Sequence, residues 1–123
     1  MMNELLLDIQ NVTYKPGNFT VLDNVSFNIK PGENKIIFGP EGSGSSGLFD
    51  ILVKAGVNFT GNVLYKGEAV KDFDYISRIN YKKEVGYVHG DYGLISNMSV
   101  EQNIALPLEY HSSLTMNEIK RLV

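Results

Sequence analysis

The chain has 123 residues, enough for one domain with a modest core, and its 43% apolar and 20% charged residues are those of an ordinary globular domain. A net charge of −3 and a pI near 5.3 leave no basic footprint for nucleic acid, and the absence of cysteine excludes disulfides and thiolate metal sites and fits a reducing, cytosolic compartment. No apolar run approaches the roughly 20 residues of a membrane span, and acidic Glu4 and Asp8 stand where a secretory signal carries basic residues, so work at a membrane requires another subunit to hold the chain there.

The first third reads as strands. Leu5, Leu7 and Ile9 alternate with other positions and Val12 follows; Val25, Phe27 and Ile29 alternate with Ser26, Asn28 and Lys30, the period-2 pattern of a half-buried strand. Lys15-Pro16-Gly17-Asn18 and Pro31-Gly32-Glu33 carry turn chemistry. Lys35 to Phe38 reads as a short buried strand running into a Gly/Ser-rich loop. Leu48, Ile51, Leu52 and Ala55 then fall at helical spacing, which predicts a helix from about Ser46 to a C-cap at Gly56. Val63 and Tyr65 with a turn at Lys66-Gly67 predict a small hairpin. Residues 72–84 are polar and partly helical, and Val85 to Val88 is another short apolar run. Ser99 opens a helix through Leu106, with Pro107 kinking or ending it. Thr115 and Glu118 have capping-box spacing, which starts a last helix near Met116. A helix that short is marginal alone, so the chain is expected to be a piece of a longer one.

The loop Gly39-Pro40-Glu41-Gly42-Ser43-Gly44-Ser45-Ser46 is the sharpest chemical signal. Against the phosphate-loop template G-x-x-x-x-G-K-[S/T], Gly39, Gly44 and Ser46 sit in register and Ser45 occupies the lysine position. Glycines let the backbone turn its N–H groups inward as a nest for phosphate oxygens. The following helix adds its positive pole and unpaired N–H groups. A hydroxyl at Ser46 suits a Mg²⁺ ligand, but Ser45 cannot supply the lysine's charge.

With these motifs in order, the chain resembles the N-terminal half of ABC-type ATPases from Leu5 to about Leu114. Ile9 to Tyr14, Val21 to Phe27 and Gly32-Glu33 are similar to that family's opening β-subdomain. Val85 to Asp91 looks like the segment entering its Q-loop, and Leu94 to Ile104 like the segment that follows. Ala105-Leu106-Pro107-Leu108 is closest to the lipid-handling, Mce-associated group. The resemblance implies an α/β fold, the N-terminal portion of an ABC-type P-loop NTPase: an antiparallel β-subdomain plus a strand–P-loop–helix core, truncated. Residues 1–123 would be a partial nucleotide-binding domain through the Q-loop and the start of the helical subdomain. It also implies ATP and Mg at Gly39, Glu41, Gly42, Ser43, Gly44, Ser45, Ser46 and Gly47, with Ser46 on the metal and Tyr14 as the aromatic against adenine, Phe19 being its rival. The implied partners are a membrane permease and a second nucleotide-binding subunit, as homo- or heterodimer, at the cytoplasmic face of the plasma membrane.

Departures from the family pattern decide the expected activity. Ser45 removes a charged hydrogen bond worth roughly 1.5–3 kcal/mol, which is about ten- to a hundredfold in affinity. The catalytic loss is expected to be larger, because charge shifts on the transferring phosphoryl group. Gly90 stands where the resemblance places the Q-loop glutamine, and Gly47 replaces a hydroxyl residue common after the loop serine. The family's signature motif, Walker B carboxylates and switch histidine have no counterpart in these residues. Two losses with the glycine scaffold intact read as natural degeneracy rather than an engineered trap.

His89 beside Gly90 reads as a loop histidine or a partial stand-in for the glutamine; His111 and Lys82-Lys83 read as solvated. Leu94, Ile95 and Met98 are core or a docking surface near Asp91 and Tyr92. No catalytic residue is assigned. The expectation is a transporter ATP-binding subunit with weak or absent ATP and Mg binding and weak or no hydrolysis. Its rivals are an active ATPase completed by a partner, with Lys35 or Lys54 as poorly placed substitutes, and a nucleotide-independent module docking on a permease.

Overall fold

The computed structural model describes residues 4–40, 44–54, 56–88 and 93–123. It divides into two compact units, residues 1–85 and 86–123.

The first unit is built on an antiparallel sheet of order β2-β1-β3-β4, from β1 (Leu7–Tyr14), β2 (Leu22–Ile29), β3 (Thr60–Tyr65) and β4 (Glu68–Ala69). The period-2 reading of β2 holds: Val25, Phe27 and Ile29 are half-buried while Ser26 and Asn28 are exposed. In β1 the parity breaks. The ladder slips between Ile9 and Val12, Asn11 takes a left-handed backbone (φ 49°), and both Ile9 and Val12 are buried. This is a bulge: one extra residue restores the inward side. Side chains lock it. Ser26 Oγ accepts from the Asn11 N–H at 2.8 Å, and Asn11 Nδ2 donates to Asn24 Oδ1 at 2.9 Å.

Helix α1 (Ser45–Val53) lays Leu48 and Ile51 on this sheet, where they join Ile9, Val12, Leu22 and Val63 in the core. It ends at Val53, earlier than Gly56, because Lys54 is already extended (φ −88°, ψ 137°). The predicted hairpin turn is present, with Lys66 and Gly67 both at positive φ. After a 3₁₀ turn at Val70–Asp72, helix α2 (Tyr75–Glu84) starts on Asp74, whose carboxylate accepts from the Ser77 N–H at 2.7 Å. Tyr81 is its anchor. The ring stands edge-on to Tyr65 and Phe73, with centroids 5.0 and 5.6 Å away, and its hydroxyl donates to the Leu52 carbonyl at 2.7 Å. That carbonyl belongs to the last turn of α1, where carbonyls run out of partners further along the helix.

One expectation fails here. Lys35 to Phe38 is not a buried strand: it joins no sheet among the described residues, and Ile36 and Phe38 are 84% and 91% exposed. A strand is stable only beside another that takes its N–H and C=O groups, and these residues find none. Val88, at the start of the second unit, is likewise 94% exposed.

In the second unit, α3 (Val100–His111) and α4 (Met116–Leu122) pack together around Ala105 and Ile119. Both helices open with capping boxes, Ser99/Gln102 and Thr115/Glu118. Only the second was foreseen. Pro107 does not end α3, which continues through it to His111.

Candidate functional site

The site is the start of α1 and what supports it. Gly44 is the N-cap, in a left-handed conformation (φ 90°) that an L-residue resists. A Cβ there would stand 2.1 Å from the Val21 carbonyl oxygen. Gly47, one turn on, is buried, and a Cβ on it would meet Val21 Cγ1 at 2.3 Å and Tyr14 Cδ1 at 3.3 Å. Val21 is itself fixed, its N–H donating to the Tyr14 carbonyl at 2.9 Å to close the β1–β2 connection. The helix start thus rests on the Tyr14–Val21 pair, and two glycines make the close seat possible. Against the family pattern alone Gly47 reads as a lost hydroxyl. Two glycines three positions apart at a helix start were the available signal for tight packing.

Among the described residues no side chain caps the first amides of α1 and no acidic residue stands in its first turn, which suits an anion at this pole. Ser46 is exposed in that turn, where its hydroxyl suits an oxygen ligand for Mg²⁺. The structure therefore brings together Gly44, Ser46, Gly47 and Tyr14. Gly39 lies in exposed chain upstream, outside any strand or helix. Glu41, Gly42, Ser43, the Ser45 side chain, His89, Gly90, Asp91 and Tyr92 lie outside the described residues. Tyr14 is half-buried and packs against the core, so only part of its ring faces outward; Phe19 is 69% exposed.

The proposed substitute lysines are elsewhere. Lys35 donates to the Asn28 carbonyl at 2.7 Å and pairs with Glu33 at 3.5 Å, beside the far end of β2. Lys54 pairs with Asp50 at 2.7 Å at the C-terminal end of α1. At 1.5 Å of rise per residue, that end is about 13 Å from the anion pole.

In the second unit the loop before α3 is held by one side chain. Asn103 accepts from the Ile95 N–H at 2.8 Å and donates to the Ile95, Met98 and Ser99 carbonyls at 3.2, 3.3 and 2.9 Å. The loop so held presents Leu94 (63% exposed) and Ile95, and α3 adds exposed Val100 and Ile104.

Residues 22–122 match the family model described as ABC transporter. The chain belongs to the ABC transporter family. Among curated relatives, it is 33% identical to the methionine import ATP-binding protein MetN of Chlamydia pneumoniae, over 96% of this chain and 35% of that one. It is 26% identical to the intermembrane phospholipid transport system ATP-binding protein MlaF of Haemophilus influenzae, over 99% of this chain and 46% of that one. The dimeric structure of a bacterial ABC transporter cassette superposes with a TM-score of 0.77 at 30% identity, covering 94% of this chain and 53% of the other. This ABC-family chain thus spans less than half the length of the curated relatives it matches, and the expected fold, a portion of a P-loop NTPase cassette with an antiparallel sheet, is borne out.

Proposed function

We propose that this chain is the nucleotide-contacting part of an ABC transporter ATP-binding component whose cradle is kept and whose side-chain charge is lost. The observation that carries the reading is the left-handed Gly44 seated on Val21, opening a helix start that no described side chain caps and whose first turn has no acid, with Ser46 beside it. Backbone N–H groups and the helix pole attract phosphate oxygens without any lysine. Gly44 and Ser46 would hold the phosphates and Mg²⁺ of ATP, with Gly47 seating the helix start on Val21 and Tyr14 at the base. Bound Mg-ATP supplies a transferable phosphoryl group, but Ser45 has no charge to stabilise its transfer and Gly90 has no side chain to orient water. Weak binding and weak or no hydrolysis follow.

A membrane permease and a second ATP-binding subunit are the partners in this reading, which sets the chain at the cytoplasmic face of the membrane. The exposed Leu94, Ile95, Val100 and Ile104, on a loop stiffened by Asn103, support docking at that end. A lipid cargo is supported by Ala105 to Leu108 and by the match to MlaF along nearly the whole chain.

Isothermal titration with Mg-ATP tests the nucleotide reading. The native chain should bind weakly, and Ser45→Lys should tighten binding by about ten- to a hundredfold. Steady ATP turnover by the native chain at rates typical of active cassettes would sink it, as would a Ser45→Lys variant that binds no better.

A further inference from the structure

On the first unit, away from the helix start, lies a cavity of about 180 Å³ between the C-terminal end of α1, the chain entering β3, and α2. Its floor is apolar: Leu52, Val57, Phe59, Val70 and the side of Tyr81. Its rim carries Lys54, Lys71, Arg78 and Lys82, and no carboxylate lines it among the described residues. Four cations around one opening stand out on a chain whose net charge is −3.

The rim is partly pre-set. Lys71 is held over the Phe59 ring, Nζ 4.2 Å from its centroid, and donates to the Phe59 and Gly61 carbonyls at 2.6 and 3.3 Å. Its charge is thereby fixed above the apolar floor. Arg78 reaches back to the Phe73 carbonyl at 3.5 Å, and Lys82 is exposed on α2. Lys54 is shared with Asp50.

Volume decides what fits. Small-molecule sites run to roughly 300–1,000 Å³, whereas a cavity of about 150 Å³ holds a benzene-sized group. At 180 Å³ this cavity takes one apolar side chain. Charge decides its neighbours: carboxylates on either side of that side chain would meet Arg78, Lys82 and Lys71. We infer that this cavity is a docking site for an acidic segment of a partner protein, which inserts a single leucine-sized side chain between flanking Asp or Glu residues. The site is independent of the nucleotide reading and of the Leu94–Ile104 surface.

The probe is a fluorescein-labelled peptide, Glu-Asp-Leu-Asp-Glu, titrated into the full 123-residue chain and followed by anisotropy. Saturable binding is expected, weakened about tenfold or more by the double variant Arg78→Glu/Lys82→Glu and by replacing the peptide's leucine with glycine. Lys120→Glu, in the second unit, should leave it unchanged. Circular dichroism of the double variant checks that it folds, and Lys82→Glu alone, at an exposed position, should weaken binding in the same direction. Absence of saturable binding, indifference to the leucine, or indifference to both rim variants would overturn the inference. Binding of the chain to phosphatidylglycerol vesicles that is lost in the double variant, with no peptide binding, would overturn it in favour of a membrane surface.

Discussion

Replacing Gly44 by alanine probes the seat of the candidate site most directly. Two terms contribute. An L-residue at a φ of 90° costs roughly 1–2 kcal/mol in backbone strain. The new Cβ would also lie 2.1 Å from the Val21 carbonyl oxygen and 3.2 Å from Val21 Cγ1, where contacts under 3.0 Å are not tolerated. The helix start and the β1–β2 connection must therefore part by about 0.9 Å. Val21 cannot yield freely, because its N–H is bonded to the Tyr14 carbonyl, so moving it forfeits roughly 0.5–1.5 kcal/mol. The sum is a loss of about 1.5–3.5 kcal/mol. Gly17→Ala is the matched control: its φ is 67°, but nothing lies within 4 Å of its Cβ, so only the strain of roughly 1–2 kcal/mol applies. Urea unfolding followed by far-ultraviolet circular dichroism and tyrosine fluorescence measures both; the chain has seven tyrosines and no tryptophan. Equal losses in the two variants, within about 0.5 kcal/mol, would refute the close seat of Gly44 on Val21.

Tyr81→Phe removes the only side-chain donor bonded to the Leu52 carbonyl among the described residues and should cost about 1–2 kcal/mol. The same residue shapes the alkaline limb of stability. Burial, with a smaller contribution from Tyr65, pushes the Tyr81 hydroxyl from 10.0 up to about 12. The folded chain therefore holds a proton that the unfolded chain releases near pH 10. Tyr81's contribution is full below pH 10 and falls by up to about 1.4 kcal/mol per unit toward pH 12, so urea titrations of Tyr81→Phe should show a shallower alkaline fall than the native chain. Phe38→Ser should change stability by less than about 0.5 kcal/mol in urea unfolding, since Phe38 is 91% exposed; a buried strand phenylalanine would cost about 3–5 kcal/mol instead. Asn103→Ala should cost about 1–2 kcal/mol and speed amide exchange at Ile95, whose N–H bonds to that side chain; unchanged exchange there would show that Asn103 does not hold the loop.

Local chemistry was the legible part of this chain. The alternation in β2, the helix face of Leu48 and Ile51, the Lys66-Gly67 turn and the Thr115/Glu118 box are each set by residues within a few positions of one another. What sequence reasoning missed depends on distant partners. Phe38 has the apolar run of a core strand, but strand pairing is non-local, and among the described residues nothing supplies a neighbour. The parity break in β1 depends on Ser26 and Asn24, residues of another strand that reward a bulge at Asn11. Pro107 reads as a kink or a helix stop by local rules, and α3 continues through it, in a helix that packs on α4. At the site, the loop match was visible from spacing alone. The role of Gly47 was not, because only the fold reveals Val21 and Tyr14 beside it.

That role changes how the loop should be weighed. Gly44 and Gly47 both face Val21, so close packing of α1 on the β1–β2 connection requires them whether or not a phosphate ever binds. Their presence alone is thus weaker support for a nucleotide than the loop match suggests. The open pole is stronger support, because packing does not require it: a side-chain cap would stabilise a helix start by about 1 kcal/mol, and an acid in the first turn by about 0.3–1 kcal/mol. Among the described residues α1 has neither, while α2, α3 and α4 all take a side-chain cap. With neither device among the described residues, and the Gly47 N–H bonded to the Gly44 carbonyl at 3.0 Å, the N–H groups before Gly47 are the ones an external anion would meet. Titration of the Ser45→Lys variant separates the two accounts. If the glycines serve packing alone, a lysine beside an idle pole adds no affinity for Mg-ATP; if the pole is a working cradle, the same lysine restores the charge it lacks.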